Sequence, residues 1–254
     1  MDLDGSTLID SITVARSLVD LIQHNPDVHW VMVTGRSYAS AIATEYGKLL
    51  CGNSLHVFDG GAMIATLEGL VLHRSVMSKS DIERLNVHLQ ADFGSYVFGS
   101  SGTGSGFVCS TDTSIEFPQV SRFTESLSTF MHWALSESVQ KISVSGIDPA
   151  GIPEQLNHCK SGPVLDFLPP GISKASGVQN VLSMLAIRPQ EAAFVFNDQN
   201  DLAVIEDPSL RGIYLIKVGE ELPQIPAHAR VNTPNDVSTL LSDWLSINRP
   251  ERAR

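Results

Sequence analysis

Residues 1–10 read MDLDGSTLID: two aspartates, Asp2 and Asp4, one leucine apart, then a glycine and two hydroxyl side chains. Residues two apart in an extended segment project from the same side, so the two carboxylates would face one place. Alone, Asp4-Gly5 reads equally well as a turn. The stretch gains meaning only from segments much further along the chain.

Outward from it, residues 8–24 (LIDSITVARSLVDLIQH) put Leu8, Ile12, Ala15, Val19 and Ile22 on one helical face, and Asn25-Pro26-Asp27 stops that helix. VHWVMVTGRS (28–37) reads as a short apolar strand ending at Thr34-Gly35, and YASAIATEYGKLL (38–50) as a helix. Alternating helix and strand is the pattern of a parallel α/β sheet. LHVFDGGAMIATLEGLVL (55–72) predicts two or three short strands about a Gly-Gly turn.

From about residue 75 the pattern changes. SKSDIERLNVHLQADF (78–93) is an amphipathic helix with Ser78 or Ser80 as its cap, and YVFGSSGTGSGFVCST (96–111) is strand about a glycine-rich turn. FTESLSTFMHWALSES (123–138) is a second helix and QKISVSGI (140–147) another strand, together an α+β insertion with an antiparallel sheet. After VLDFLPPGI (164–172) the parallel pattern returns: helix 173–187, strand 192–201 with an acidic end, strand 211–218 and a closing helix 234–247. The expected organisation is a core of residues 1–74 and 170–254 carrying an insertion at 75–169, with RPERAR (249–254) as a disordered tail.

Composition narrows the function. A chain of 254 residues, 43% hydrophobic and 18% charged, can bury a large core. With a net charge of −11 and no Lys/Arg cluster beyond two neighbours, nucleic-acid binding is not expected. No apolar run approaches the roughly 18 residues of a membrane span. No basic, apolar leader is seen, and Cys51, Cys109 and Cys159 are an odd, scattered set, so a reducing cytoplasm is the expected compartment. His88, His132 and His158 sit at no ligand spacing and read as ordinary histidines of the insertion. The glycine run 99–107 lacks the Lys-Ser/Thr ending and following helix of a phosphate-cradling loop, and reads as a turn.

Polar clusters at strand ends are where open α/β sheets do their chemistry. DLDGS, then VMVTGRS, then GISKASG, then FNDQNDLAVI occur in an order that resembles the four motifs of haloacid dehalogenase-like (HAD) phosphatases. The block between the second and third motifs resembles the cap of the Cof-type sugar phosphatases, and VFDGGAMI is similar to the Asn-Gly-Ala segment before that cap. The resemblance covers nearly the whole chain and implies a Rossmann-like α/β core with a parallel sheet and an inserted α+β cap. It also implies Mg²⁺-dependent hydrolysis of a small phosphomonoester, a sugar or polyol phosphate, through an aspartyl-phosphate on Asp2. Asp4 would protonate the leaving group and then activate water, and Thr34, Gly35, Arg36 and Lys174 would hold the phosphate. Asn200 would contact substrate, and Mg²⁺ would draw on Asp2, Asp4 and the last motif (Asn197, Asp198, Asp201).

Two departures from the family pattern raise a second reading. Only Met1 precedes Asp2, where the family has an apolar central strand, so either the chain's true start lies upstream or the fold accepts a shortened strand. The first acidic position of the last motif holds Asn197, with Phe196 in place of a glycine; Asp198 after a one-residue shift, or Asp201, would then have to serve the metal. Smaller changes are Ser6 for threonine, Asp59 for asparagine and Ala175 for glycine. The alternative is a weak or inactive homologue that binds a ligand or partner, and a phosphomutase is a third possibility.

Overall fold

The computed structural model describes residues 1–50, 54–89, 96–104, 106–110 and 120–248. Its backbone hydrogen bonds put the first two residues in the middle of a sheet. The Asp2 amide donates to the Val195 carbonyl (2.9 Å), the Val33 amide to the Met1 carbonyl (2.9 Å) and the Met1 α-amine to the Val31 carbonyl (2.6 Å). On the far side, the Val57 amide donates to the Met32 carbonyl (2.8 Å) and the Thr34 amide to the Val57 carbonyl (3.0 Å). The order across the layer is His56–Phe58, residues 31–34, residues 1–2, Ala193–Phe196, Tyr214–Val218, Ala229–Val231. The last three strands run parallel, as does the Val33–Val57 bridge. Strand order therefore reverses beside Asp2, the point at which open α/β sheets bind ligands.

Met1 and Asp2 thus hold the central position with two residues. A cavity of ≈ 440 Å³ lies alongside Met1, lined among others by Val31, Phe194, Val181 and Leu241. Burial pushes the Met1 α-amine down to about 5.

Several expected elements are shorter than their sequence patterns. The helix expected over 8–24 spans only Arg16–Gln23. Ahead of it, the Asp10 carboxylate accepts the Ile12 and Thr13 amides and Leu8 bridges to Val14, so a side chain and a tight reversal take the backbone groups a helix would need. The helix expected over 38–50 splits into Tyr38–Ile42 and Glu45–Leu49, because the Thr44 hydroxyl accepts the Gly47 amide and starts a new turn. Residues 55–72 follow expectation, with strands His56–Phe58, Met63–Ala65 and Val71–Arg74 about Gly60 and Gly61, both at positive φ. Ala229–Val231 is a strand the pattern did not suggest.

The second layer is a six-stranded sheet in the order Val120–Thr124, Gly106–Ser110, Tyr96–Ser100, Lys141–Ser145, Val164–Phe167, His158–Ser161. It is antiparallel apart from the parallel pair Gly106–Ser110 and Val120–Thr124. Helices Lys79–Leu89 and Leu127–Ser136 pack on it around Leu85, Val97, Phe130, Val144 and Phe167. The Ser78 hydroxyl accepts the Asp81 amide and starts the first of these helices; its expected end at 90–93 lies outside the described residues, as do Cys51 and the 249–254 tail. Strict alternation in KISVS sends Ile142 and Val144 into that core and leaves Lys141 and Ser143 on the opposite face. Among the described residues no helix is long and apolar enough to cross a membrane.

The layers are joined by buried polar groups. Asp59, at φ 51°, accepts the Ser100 hydroxyl (2.8 Å) and the Gln140 amide (3.1 Å), and burial pushes its carboxyl up to about 6. Lys141 Nζ donates to the Gly35 carbonyl (2.5 Å).

Gly61 sits where the first layer meets the helix Lys174–Met184, at φ 110°, and a Cβ there would lie 2.0 Å from the Ser173 carbonyl oxygen. Gly171, at φ 74°, faces open space. Gly61→Ala should cost at least ~2 kcal/mol, from strain plus overlap, and Gly171→Ala about 1 kcal/mol from strain alone. Urea midpoints of the two variants measure the difference, and equal losses would mean the Gly61 contact is soft.

Candidate active site

The segments containing the four motifs converge at the carboxyl ends of the parallel strands. Asp2 follows one residue of strand, Thr34-Gly35-Arg36 follows the 31–33 segment, Lys174 opens a helix capped by Ser173, and Asn197–Asp201 follows Ala193–Phe196. Lys174 ties them together. Its ammonium donates to Asp2 Oδ1 (2.6 Å), Asp201 Oδ1 (2.7 Å) and Asn200 Oδ1 (2.8 Å), which uses all three of its protons. Lys174, Asp2 and Asp201 are all buried. Burial alone would lower the ammonium, but the two carboxylates outweigh it and hold Lys174 above the ordinary lysine value. Burial, and then the facing Asp201, push Asp2 up to about 7 against the pull of Lys174. Two carboxylates thus share one ammonium.

The remaining oxygens are spoken for to different degrees. Asp201 Oδ2 accepts the Asn197 and Asp198 amides (both 3.2 Å), so this side chain shapes the loop from within. Asp198 accepts the Gln199 amide through Oδ1 (2.6 Å) and the Gly162 amide of the second layer through Oδ2 (3.1 Å). Asn200 Nδ2 donates to the Ser161 hydroxyl (2.9 Å). The Ser6 hydroxyl contacts both Asp2 Oδ2 (3.3 Å) and Asn197 Oδ1 (2.9 Å), so one hydroxyl links those two side chains. The Asn197 amide nitrogen packs against Gly5, only 2.3 Å from where a Cβ would be.

Asp4 takes no share of Lys174. It is half-exposed and forms a forked pair with Arg36, with Nη2 to Oδ1 at 2.5 Å and Nε to Oδ2 at 2.9 Å. Thr34 is buried, and its hydroxyl accepts the Arg36 amide (3.1 Å), setting the loop in which the Gly35 carbonyl meets Lys141.

A cavity of ≈ 380 Å³ opens over Asp2, Asp4, Gly35, Arg36, Asp198 and Asn200. Its other wall belongs to the second layer: Tyr96, Phe98, Lys141, Ser143, Ser161 and Asp166. Sequence reading missed that wall. The available signals were the alternation in KISVS and a charged Asp166 inside the otherwise apolar VLDF, but nothing in sequence said which layer those side chains would face.

Neither a protein-family model nor a curated protein sequence matches the chain. Solved structures do. A haloacid dehalogenase-like hydrolase from B. subtilis superposes with a TM-score of 0.78 at 15% identity over 95% of this chain and 97% of its own. A HAD/Cof-like hydrolase from Plasmodium vivax gives 0.77 at 15% identity, covering 97% and 94%. A HAD subclass IIB sugar phosphatase gives 0.74 at 14% identity, covering 96% of both chains. The chain has the fold of the haloacid dehalogenase-like phosphotransferases, as the sequence resemblance implied.

Lys174→Met would leave two facing carboxylates without a cation, and in metal-free buffer near pH 8 it should cost ~3–5 kcal/mol. Lys174 is what draws the Asp2 carboxyl down to about 7, so without it the group holds its proton to higher pH, and the loss shrinks as pH falls toward about 7 and below. Urea titrations at about pH 8 and about pH 5.5 compare the two states. Equal losses at both would mean that Lys174 acts through packing alone.

Proposed function

We propose that this protein hydrolyses a small phosphomonoester, a sugar or polyol phosphate, in a Mg²⁺-dependent reaction through an aspartyl-phosphate on Asp2, and that it does so in the cytoplasm. The observation that carries this reading is the Lys174 ammonium spanning buried Asp2 and Asp201 beneath the cavity. An isolated pair of buried carboxylates is costly, and a single lysine leaves residual negative charge where an anionic substrate must bind. The likeness of the fold to HAD phosphatases supports the same reading.

The site's chemistry fits Mg²⁺. Asp2 Oδ2 and Asn197 Oδ1 meet at Ser6, an oxygen-only set suited to a hard cation. Among the described residues no three His, Cys, Asp or Glu side chains form a metal cage. Mg²⁺ keeps several waters and takes one or two carboxylates plus phosphate oxygens. Asp2, the Asp4 carbonyl and Asn197 would hold it, and it would supply positive charge to the transferring oxygens. Asp201 and Asp198 are engaged elsewhere in the loop and act as its frame.

In this reading an Asp2 carboxylate oxygen attacks phosphorus in line as the bond to the leaving oxygen breaks. Lys174 favours the ionised form of the nucleophile and aims it, while the Thr34-Gly35 loop and Arg36 hold the equatorial oxygens. Asp4 exchanges Arg36 for the leaving oxygen, takes a proton from solvent as it leaves the guanidinium, gives that proton to the leaving oxygen, and then regains one from the water that cleaves the aspartyl-phosphate. Its half-exposed position at the cavity mouth leaves room for that exchange.

Phosphate release from p-nitrophenyl phosphate and a sugar-phosphate panel tests the reading. Chelation should abolish turnover and Mg²⁺ restore it. Asp2→Asn should lower kcat by on the order of 10³-fold or more, and Asp4→Asn by on the order of 10²-fold or more. A well-folded protein that releases no phosphate from any of these compounds would favour the ligand-binding homologue instead.

A further inference from the structure

In the wall of the cavity opposite Asp2, three polar side chains are buried: Lys141, Ser143 and Asp166. Ser143 and Asp166 are paired directly across neighbouring antiparallel strands, and the Ser143 hydroxyl donates to Asp166 Oδ1 (2.5 Å). Lys141, on the same face, reaches Asp166 (3.4 Å) and the Gly35 carbonyl (2.5 Å). Burial would lower the Lys141 ammonium, but Asp166 and Asp59 outweigh it and hold it above the ordinary value. Asp166 Oδ2 lies 3.5 Å from where a Cβ on Gly35 would stand, so this carboxylate leans over the phosphate loop itself. A carboxylate has about four acceptor sites, and Asp166, which lines the cavity, has two side-chain donors in Ser143 and Lys141.

The cations that line this cavity are already committed. Among the described residues they are Arg36, forked onto Asp4, and Lys141, held by Asp166 and Gly35. Lys174 beneath has spent all three protons. An uncharged group bearing hydroxyls can donate to Asp166 and exchange hydrogen bonds with Ser143 and Ser161, while its C–H face rests on Phe98 and Val164. A second phosphate or a carboxylate would instead meet the Asp166 carboxylate with no cation free to receive it.

Resting on the phosphatase reading above, we infer that Asp166, positioned by Ser143 and Lys141, is the residue that selects the leaving group. It selects for an uncharged, hydroxyl-bearing group and against one with a second anion. This separates the site from a phosphomutase, whose bisphosphate intermediate needs a second anion seat.

The test compares a hexose 6-phosphate and a linear polyol phosphate with a hexose 1,6-bisphosphate, a phosphoglycerate and p-nitrophenyl phosphate, in wild type, Asp166→Asn and Ser143→Ala. For wild type, kcat/KM on the uncharged-group substrates should exceed that on the doubly anionic ones by about tenfold or more. In Asp166→Asn the ratio of hexose 6-phosphate to p-nitrophenyl phosphate should fall about tenfold, mainly through KM, and the handicap of the bisphosphate should shrink. Ser143→Ala should move both ratios the same way by about threefold, which covers the case in which Asp166→Asn folds poorly. Equal losses on all substrates, or a wild-type preference for the bisphosphate, would overturn the assignment. If no compound is turned over, the phosphatase reading fails, and calorimetric binding of the same panel decides this inference by itself. Discrimination between the two groups that weakens in the variants upholds it, and uniform or absent binding overturns it.

Discussion

Lys174 brings one positive charge to a place where two carboxylates are buried, and the first layer is organised around keeping it there. Its ammonium reaches a residue from the start of the chain, two from the loop after Ala193–Phe196, and none from its own helix. Removing a partner from such a cluster costs more than the intact cluster contributes, because the charge left behind is stranded in a dry interior. That asymmetry pins the beginning of the chain, the helix Lys174–Met184 and the Asn197–Asp201 loop to one another. It also explains why the capping box at Ser173 and Ser176 matters: it fixes the first turn from which the lysine emerges.

A second constraint acts across the layers. Asp59, in a left-handed conformation between two glycines' turns and the second sheet, accepts from Ser100 and Gln140, and Lys141 returns a hydrogen bond to Gly35. Asp59, Ser100, Gln140 and Lys141 are buried, so each needs its partner. The cavity between the layers is therefore bounded by two walls, one built on the sheet that holds Asp2 and one on the sheet that holds Asp166. The first wall carries acidic groups offset by Lys174, the second a carboxylate offset by Lys141. The first keeps residual negative charge, because one ammonium faces two carboxylates, and the second is close to electrically satisfied.

Much of the first layer was legible in the sequence. Glycines 60 and 61 marked a turn because the backbone there needs positive φ, and alternating apolar segments marked His56–Phe58, Ala193–Phe196 and Tyr214–Val218. Legibility failed where side chains compete with the backbone. Asp10 and Thr44 capture amides that periodicity alone would have assigned to continuous helices. In the second layer, Ala-poor strands such as His158–Ser161 escaped notice because they are half-buried and lack a clean alternation.

By itself the sequence determined which residues were candidates: the order of Asp2, Asp4, Thr34-Gly35-Arg36, Lys174 and Asn197–Asp201 at strand ends, and the change of pattern near residue 75. It could do so because spacing and periodicity are local properties that a short window carries. Only the tertiary structure decided how those residues divide. Asp2 and Asp201 share a lysine, Asp4 pairs with Arg36, Asn197 meets Asp2 through Ser6, and Asp166 joins the site from a strand 164 residues downstream of Asp2 (166 − 2). Those relations depend on sheet order and on which face of each strand meets the other layer, and burial then makes every charge seek a partner that sequence distance does not reveal.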